Sequence, residues 1–332
     1  MLHRLLGIIV LIGSFAVAWF LMTLNDFSEM PLALPETGLI YELPAGSSLS
    51  AVAKDLEKQG YIKSALYFQL IARWDGQAGK IKAGEYQLDP GLTPRSLIDL
   101  FVAGKVKSHA LTIVEGWTFR ELLVAIKGHK SLKQTLEGLN DQEIMARLGY
   151  PETDPEGRFL PDTYHFPKGT TDIDFLKRAY NAMEQYLNNE WAKRETGLPL
   201  KTPYDALILA SIVEKETGQE TERPEIAGVF IRRLKKGMLL QTDPTVIYGM
   251  GERYKGNIRR RDLREDTPYN TYVHKGLTPT PISLPGAHAI HSVLHPGKGN
   301  SLYFVAKGDG YHQFSATLTE HNSAVKKYQL KR

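Results

Sequence analysis

The strongest hydrophobic pattern in the chain is a single apolar run near its start. From Leu5 to Leu24 there are 20 residues without a charged side chain, and a helix of that length spans about 30 Å, the thickness of a bilayer core. Ala16 and Ala18 are spaced like a signal-peptide cleavage site, which leaves a removable leader as the alternative. Because the apolar run continues to Met22, beyond a usual leader core, we interpret it as a retained anchor.

Charges on either side of this run give its orientation. Arg4 precedes it and Asp26 follows it, so the positive-inside rule keeps residues 1–4 in the cytoplasm and exports the rest. No second apolar run of similar length occurs in the sequence. We therefore expect a single-pass protein of the cytoplasmic (inner) membrane, with its exported part on the periplasmic face. Residues 25–37 contain two prolines and are expected to be a linker.

Residues 38–107 alternate between strand and helix patterns. The stretch 39–43 has strand character, and Ser48 can cap an amphipathic helix that Gly60 ends. A helix at 64–74, an extended stretch around 84–88 and a helix at 93–103 follow. The predicted order is strand, helix, helix, strand, helix.

The remaining residues, 108–332, mix both element types, so the fold class is α+β. We expect a strand at 111–114, helices at 131–149, 172–194, 204–217 and 221–234, a hairpin at 302–314 and a last helix at 318–330. An aromatic loop, Phe159 to Phe166, leaves two interpretations open. Its rings are either a platform for sugar stacking or part of the core.

The helix at 204–217 is apolar on nearly all sides, which predicts a buried central helix that ends in Glu214-Lys215-Glu216 and is capped by Gly218. At 100° per residue, Glu214 continues the apolar side while Glu216 points nearly opposite, so the two cannot serve one site directly. Burial at a helix C-terminus raises the pKa of a carboxyl, as a general acid requires. An ion pair of Glu214 with Arg232 or Arg233 is the structural alternative.

The composition of the chain excludes several classes of function. The 41 Lys and Arg against 37 Asp and Glu leave a formal charge of only +4, without the basic surface that nucleic-acid binding needs. The absence of cysteine excludes thiolate nucleophiles and Cys-ligated metals. Two polar loops remain as substrate contacts, and they offer Gln241, Thr242, Asp243, Asn270 and Tyr272.

Five stretches together carry a resemblance that covers essentially the whole chain. They are Ala210–Thr217, Leu240–Gly249, Tyr269–Tyr272, Leu302–Ala306 and the loop Phe159–Tyr164. With the N-terminal anchor, these stretches resemble the MltG (YceG-like) family of endolytic murein transglycosylases. The resemblance implies that residues 108–332 are the catalytic domain and that residues 38–107 are a LysM-like glycan-binding module.

The resemblance also implies a reaction. Glu214, the first glutamate of the helix-end motif, would be the catalytic residue that cleaves the β-1,4 bond between N-acetylmuramic acid and N-acetylglucosamine and leaves a 1,6-anhydro end. The chain would thereby end the growth of nascent glycan strands. The implied partners are peptidoglycan strands and the bilayer, with peptidoglycan synthases as candidate protein partners, and no cofactor is implied. The competing hypothesis is a non-catalytic peptidoglycan-binding scaffold, and a hydrolase that uses Asp243 as a second carboxylate is the third.

Three histidines, His288, His291 and His295, have the spacing of one helix face and suggest a zinc site. Pro296 and Gly297 interrupt the segment, and no acidic ligand follows nearby. We therefore expect no metal here.

Overall fold

The computed structural model describes residues 2–330, which form a mixed α+β fold with two compact units. The first unit comprises the chain up to His109 together with Phe166–Gly169. The second comprises Ala110–His165 and the chain from Thr170 onward. Each unit has its own hydrophobic core.

The N-terminal helix α1 (Leu2–Glu29) is long and apolar enough to cross a membrane. It extends five residues beyond the span expected from the apolar run, so the linker expected to begin at residue 25 begins with helix instead. The physical reason is that no proline interrupts the chain before Pro31. The side chain of Phe27 is buried, and its ring contacts the Tyr67 ring edge to face at 5.6 Å.

The first unit has the predicted element order. Its elements are β1 (Leu39–Leu43), α2 (Leu49–Lys58), α3 (Ala65–Trp74), β2 (Gly84–Leu88) and α4 (Pro94–Ala103). Strands β1 and β2 pair antiparallel with Tyr41 opposite Tyr86. The Ser48 side chain accepts a hydrogen bond from the Ala51 N–H and caps α2, as the sequence predicts.

The rest of the chain is mostly helical, and each sheet of the described residues has two strands. Its elements are β3 (Ser108–Thr112), α5 (Phe119–Gly128), α6 (Asp141–Leu148), β4 (Thr163–Pro167), α7 (Asp172–Ala192), α8 (Pro203–Glu216), α9 (Arg223–Lys235), α10 (Asp243–Met250), α11 (Ala287–Leu294), β5 (Tyr303–Ala306), β6 (His312–Ser315) and α12 (Leu318–Tyr328). Strand β3 lies three residues earlier than predicted at its start.

The predicted helix at 131–149 is wrong in its first half, because only α6 is helical. The buried Asp172 carboxylate accepts hydrogen bonds from the backbone N–H groups of Thr135 and Leu136, at 2.7 and 3.0 Å. These amides would otherwise bond to carbonyls one helical turn earlier. A side chain 36 to 37 residues further along the chain therefore holds this segment in an irregular conformation.

The aromatic loop packs into the core, which decides between its two interpretations. Phe159 is fully buried and stacks on Phe119 with ring centroids 5.1 Å apart, and Tyr164 contacts Phe175 edge to face. Since the rings are covered by protein, they offer no exposed platform for a sugar.

Helix α8 lies in the middle of the second core, as its apolar sequence predicts. Leu207, Leu209 and Val213 have no exposed surface, and α8 packs against α9 and α11. The helix ends at Glu216, one residue earlier than expected. Thr217 adopts an extended conformation there, and its hydroxyl accepts a hydrogen bond from the Gln219 N–H, so Gly218 is not the cap.

Candidate active site

Glu214 lies in a buried cluster of charges at the end of α8. Its Oε1 accepts a hydrogen bond from the Arg223 Nη2 at 2.8 Å, and its Oε2 accepts one from the Gly286 N–H at 3.0 Å. The same Arg223 nitrogen contacts the Glu115 carboxylate at 3.2 Å. The Glu214 and Arg223 side chains are each only 5% exposed. The ion pair considered from the sequence therefore exists, but with Arg223 instead of Arg232 or Arg233.

Two opposing influences act on the pKa of the Glu214 carboxyl group, and burial is the larger one. Burial raises its pKa, as the sequence predicts, while the Gly286 amide and the Arg223 charge act in the opposite direction. Both oxygens accept hydrogen bonds from groups that favour the ionised form. Glu214 does not line either of the two grooves described below.

Glu216, two residues further on, lines a groove of about 420 Å³, here called the Glu216 groove. Most of the candidate substrate residues lie in this groove rather than beside Glu214. Its lining comprises Glu216, Arg233, Leu240, Gln241, Thr242, Asp243, Tyr272, Tyr303, Phe304, Val305, Ala306, His312, Leu318, His321, Val325 and Gln329. The groove thus combines a carboxyl group with aromatic rings, hydroxyls and an amide.

The Glu216 carboxyl group has the electrostatic setting of a proton donor. Burial, together with the nearby Asp243 charge, raises its pKa to about 7. The Thr242 hydroxyl donates a hydrogen bond to Oε1. Among residues 2–330, no hydrogen-bond donor contacts Oε2. One oxygen is therefore held in place while the other is free for a substrate atom.

The segment Gln241–Asp243 is shaped by a strained backbone and a helix start. Gln241 has a φ of 51°, a left-handed conformation that non-glycine residues adopt rarely, and its N–H bonds to the Thr271 carbonyl at 3.1 Å. The following residues were expected to be a loop, but Asp243 begins α10 and Thr242 is its N-cap residue. Pro244 fits the first helical turn because its missing N–H is not needed there.

Two further candidates have different positions. Tyr272 donates a hydrogen bond from its hydroxyl to Asp243 Oδ1 at 2.6 Å in the Glu216 groove. Asn270 is buried instead: its amide nitrogen donates to the carbonyls of Asp262 and Glu265, and its oxygen accepts from the Tyr272 N–H. Asn270 therefore shapes the loop that carries Tyr272, and its side chain does not line the groove.

A second groove of about 1070 Å³ lies in the same unit. Two of its lining residues, Lys215 and Pro244, are adjacent in sequence to residues of the Glu216 groove. Glu156 also lines it, and burial raises the Glu156 pKa to about 7. Its two oxygens accept hydrogen bonds from the Phe119 N–H and the Tyr248 hydroxyl. Since both oxygens are engaged by the fold, Glu156 is less available to a substrate than Glu216.

A family model described as the YceG-like family matches residues 41–327. This match extends from β1 into α12 and includes both glutamates of α8 and, apart from Gln329, every residue that lines the two grooves. The chain belongs to the YceG-like family.

Known proteins similar to this YceG-like chain cover most of its length. An endolytic murein transglycosylase of Bacillus subtilis is 35% identical in an alignment of 311 positions that covers 88% of this chain and 85% of that protein. The endolytic murein transglycosylase of Streptococcus pneumoniae D39 is 28% identical over 80% of this chain and 53% of that protein. The crystal structure of a yceG-like protein from Listeria monocytogenes matches 87% of this chain and 99% of that chain, with 33% identity and a TM-score of 0.55.

Reasoning from the sequence gave no role to Glu216 in this YceG-like chain, because it points away from the apolar side of α8. The residues that cover that side come 26 to 90 positions later: Thr242, Tyr272 and the strand β5. Arg233 and His312 were also missed as groove residues. The signal in the sequence that could have indicated Glu216 was a second glutamate at the end of the helix, beside a segment of short polar residues.

Proposed function

We propose that this chain is a lytic transglycosylase of peptidoglycan, in which Glu216 is the proton donor. The observation that carries the proposal is a carboxyl group with a pKa raised to about 7 and one free oxygen, at a groove lined by aromatic and polar side chains. Membership of the YceG-like family and two relatives named endolytic murein transglycosylase support the substrate class.

The proposed reaction needs one carboxyl group that acts twice. Protonated Glu216 donates its proton to the oxygen of the β-1,4 bond between N-acetylmuramic acid and N-acetylglucosamine, and the bond from that oxygen to C1 breaks. The resulting carboxylate takes the proton of the muramic acid C6 hydroxyl as O6 bonds to C1. The products are a 1,6-anhydro end and a new N-acetylglucosamine end, with no water consumed. A glycosidase, by contrast, uses two carboxyl groups.

The other groove residues orient the sugar in this proposal. Gln241 and Asp243 present an amide and a carboxylate beside Glu216, which suits the N-acetyl and hydroxyl groups of the glycan, while the buried Thr242 hydroxyl holds Glu216. Tyr272 extends this set through its hydrogen bond to Asp243. Asn270 acts indirectly, because its side chain fixes the loop that carries Tyr272.

Glu214 has a supporting role in this proposal, although the family resemblance implied that it is the catalytic residue. Its contacts with Arg223 and Gly286 join the end of α8 to the starts of α9 and α11. Both of its oxygens accept hydrogen bonds from the fold, so neither is free to face a glycosidic oxygen in this arrangement. The prediction for Glu214 remains testable, since Glu214→Gln and Glu216→Gln can be compared directly.

The location and the accessory unit are also part of the proposal. α1 anchors the chain in the cytoplasmic membrane with its N-terminus inside, which places the groove on the exported face within reach of nascent strands. The first unit, with its strand-helix-helix-strand order, is proposed to be a LysM-like module that binds the N-acetylated glycan. Cleavage by such an anchored enzyme would end strand growth close to the bilayer.

Product analysis tests this function. The full chain in detergent is incubated with uncrosslinked glycan strands in ¹⁸O-labelled water, and the masses of the products are measured by mass spectrometry. We expect internal fragments with unlabelled anhydro ends, and a loss of these fragments with Glu216→Gln. Labelled reducing ends would indicate a hydrolase, with Asp243 as the second carboxylate. Intact strands that still bind would indicate a scaffold.

A further inference from the structure

Three side chains that could bind a metal ion come together outside both grooves. Glu190 near the end of α7 meets His291 of α11 and His295, the residue that caps α11. Their ligand atoms lie within 4.8 Å of one another. The His291 Nδ1 is 2.7 Å from Glu190 Oε2, and the His295 Nε2 is 3.9 Å from the same oxygen.

The helices that carry these side chains are fixed to each other on both sides of the cluster. The Tyr186 hydroxyl of α7 donates to the Ala287 carbonyl at the start of α11, at 3.1 Å. The Glu195 N–H donates to the Leu294 carbonyl at the end of α11, at 3.0 Å. A spacing of four residues puts His291 and His295 on one face, where their rings stack with centroids 4.4 Å apart. Ligands on such fixed elements need little reorganisation to bind an ion.

We propose that Glu190, His291 and His295 form a zinc site that joins α7 to α11. Two imidazoles and one carboxylate are a donor set that Zn²⁺ prefers, with water as the fourth ligand. The sequence argued against zinc because no acidic ligand follows the histidines, but α7 supplies one about 100 residues earlier. The third histidine of the motif, His288, lies on the exposed face and is not in this cluster.

Binding requires only a local adjustment. Ligand atoms around a tetrahedral zinc ion are about 3.3 Å apart, so the His295 ring and the Glu190 carboxylate must each rotate slightly. The His291 side chain is 57% exposed and that of His295 26%, which leaves the site open to an ion from solvent. The opposing charge is Lys193, whose Nζ is 3.7 Å from the other Glu190 oxygen. This lysine is largely exposed and is free to turn away.

The expected role of the ion is structural. α11 begins after Gly286, the residue whose N–H holds Glu214, so zinc at the other end of α11 would stabilise the helix that supports α8. The Glu216 groove contains none of the three ligands. The proposed zinc site can therefore be tested independently of the proposed cleavage reaction.

Zinc titration of the full chain tests the site. Untagged protein in detergent is freed of metal with a chelator, and zinc binding is measured by calorimetry together with the thermal unfolding midpoint. We expect one equivalent of zinc to bind. At a free zinc concentration ten times the dissociation constant, the unfolding midpoint of the unit should rise by about 3–5 °C. Magnesium at the same concentration should change neither measurement.

Variants on the same helix provide the control. His295→Gln and His291→Ala should each weaken zinc binding at least tenfold and remove the thermal shift, while His288→Ala should behave like the original chain. Circular dichroism without zinc checks that each variant folds. The proposal is wrong if the original chain binds no zinc below about 0.1 mM, or if His295→Gln and His288→Ala bind it equally well.

Discussion

The two glutamates at the end of α8 show how strongly environment decides the role of a side chain. Glu214 and Glu216 are two residues apart, and burial raises the pKa of both. Glu214 accepts hydrogen bonds from a guanidinium and an amide, which favour its ionised form. Glu216 accepts one from a neutral hydroxyl and lies beside Asp243, which favours its protonated form.

On this difference rests the proposal that Glu214 supports the fold while Glu216 donates the proton. The 200° rotation between the two positions directs one carboxyl group into the contacts between helices and the other into a groove. A raised pKa alone does not identify a proton donor, since Glu214, Glu216 and Glu156 all have one. The proposal for Glu216 rests instead on a carboxyl oxygen that no donor contacts among residues 2–330, at a groove.

The largest expected effect is the loss of cleavage in Glu216→Gln. The amide cannot donate a proton to the glycosidic oxygen, so we expect the cleavage rate to fall about 10²–10⁴-fold, or ~3–5 kcal/mol of transition-state stabilisation. The rate is measured by quantifying anhydro ends over time. The thermal unfolding midpoint of this variant should remain close to that of the original chain.

Glu214→Gln is the matched control for this comparison. We expect it to keep the cleavage rate within about tenfold and to lower the thermal unfolding midpoint, because a buried ion pair is lost. The opposite result, with cleavage abolished by Glu214→Gln and retained by Glu216→Gln, would return the catalytic role to Glu214.

Removal of the Arg223 charge should have the largest effect on stability. Arg223→Met leaves Glu214 buried without its partner, and breaking such a pair costs about 3–5 kcal/mol of unfolding free energy. Chemical denaturation measures this loss. Arg261→Met removes an arginine whose side chain is 75% exposed and should cost less than about 1 kcal/mol. Equal stability of the two variants would contradict a structural role for the Glu214 cluster.

The pH dependence of cleavage should follow the Glu216 carboxyl group. The active form is protonated and its pKa is raised to about 7, so kcat/KM should be level below that pH and fall about tenfold per unit above it. Two substitutions should move this limit in opposite directions. Thr242→Val removes a hydrogen bond that lowers the pKa and shifts the fall to higher pH, while Asp243→Asn removes a charge that raises it and shifts the fall to lower pH.

Glu156 provides the control for this profile, because its pKa is also about 7. Glu156→Gln should leave the position of the fall unchanged. A fall that disappears in Glu156→Gln and persists in Thr242→Val at its original pH would assign it to the second groove.

Local signals explain what could be predicted from the sequence. Ser48 and Thr93 cap α2 and α4, and the strand patterns of β1 and β2 lie within their own short segments. The helical start at Asp243 was also predictable, since a threonine cap followed by an early proline is a helix N-terminus signal.

Long-range contacts explain what could not be predicted. The irregular segment before α6 depends on Asp172, and the environment of Glu216 depends on Thr242. The proposed zinc site at α11 depends on Glu190 of α7 in the same way. Periodicity shows which side of a helix is polar, but it does not show which distant segment covers that side.

The smallest expected effect concerns Tyr272 in the Glu216 groove. Tyr272→Phe removes one hydroxyl, which donates to Asp243 at 2.6 Å, and one such bond is worth about 0.5–1.5 kcal/mol. We therefore expect kcat/KM for glycan cleavage to fall about 3–10-fold. Tyr311→Phe changes a partly exposed tyrosine outside this groove and should leave the rate unchanged. Glu216 keeps its own contact with Thr242 in Tyr272→Phe. The pH of half-maximal activity in this variant should therefore stay near that of the original chain. A large shift would mean that Tyr272 acts on the proton donor rather than on the sugar.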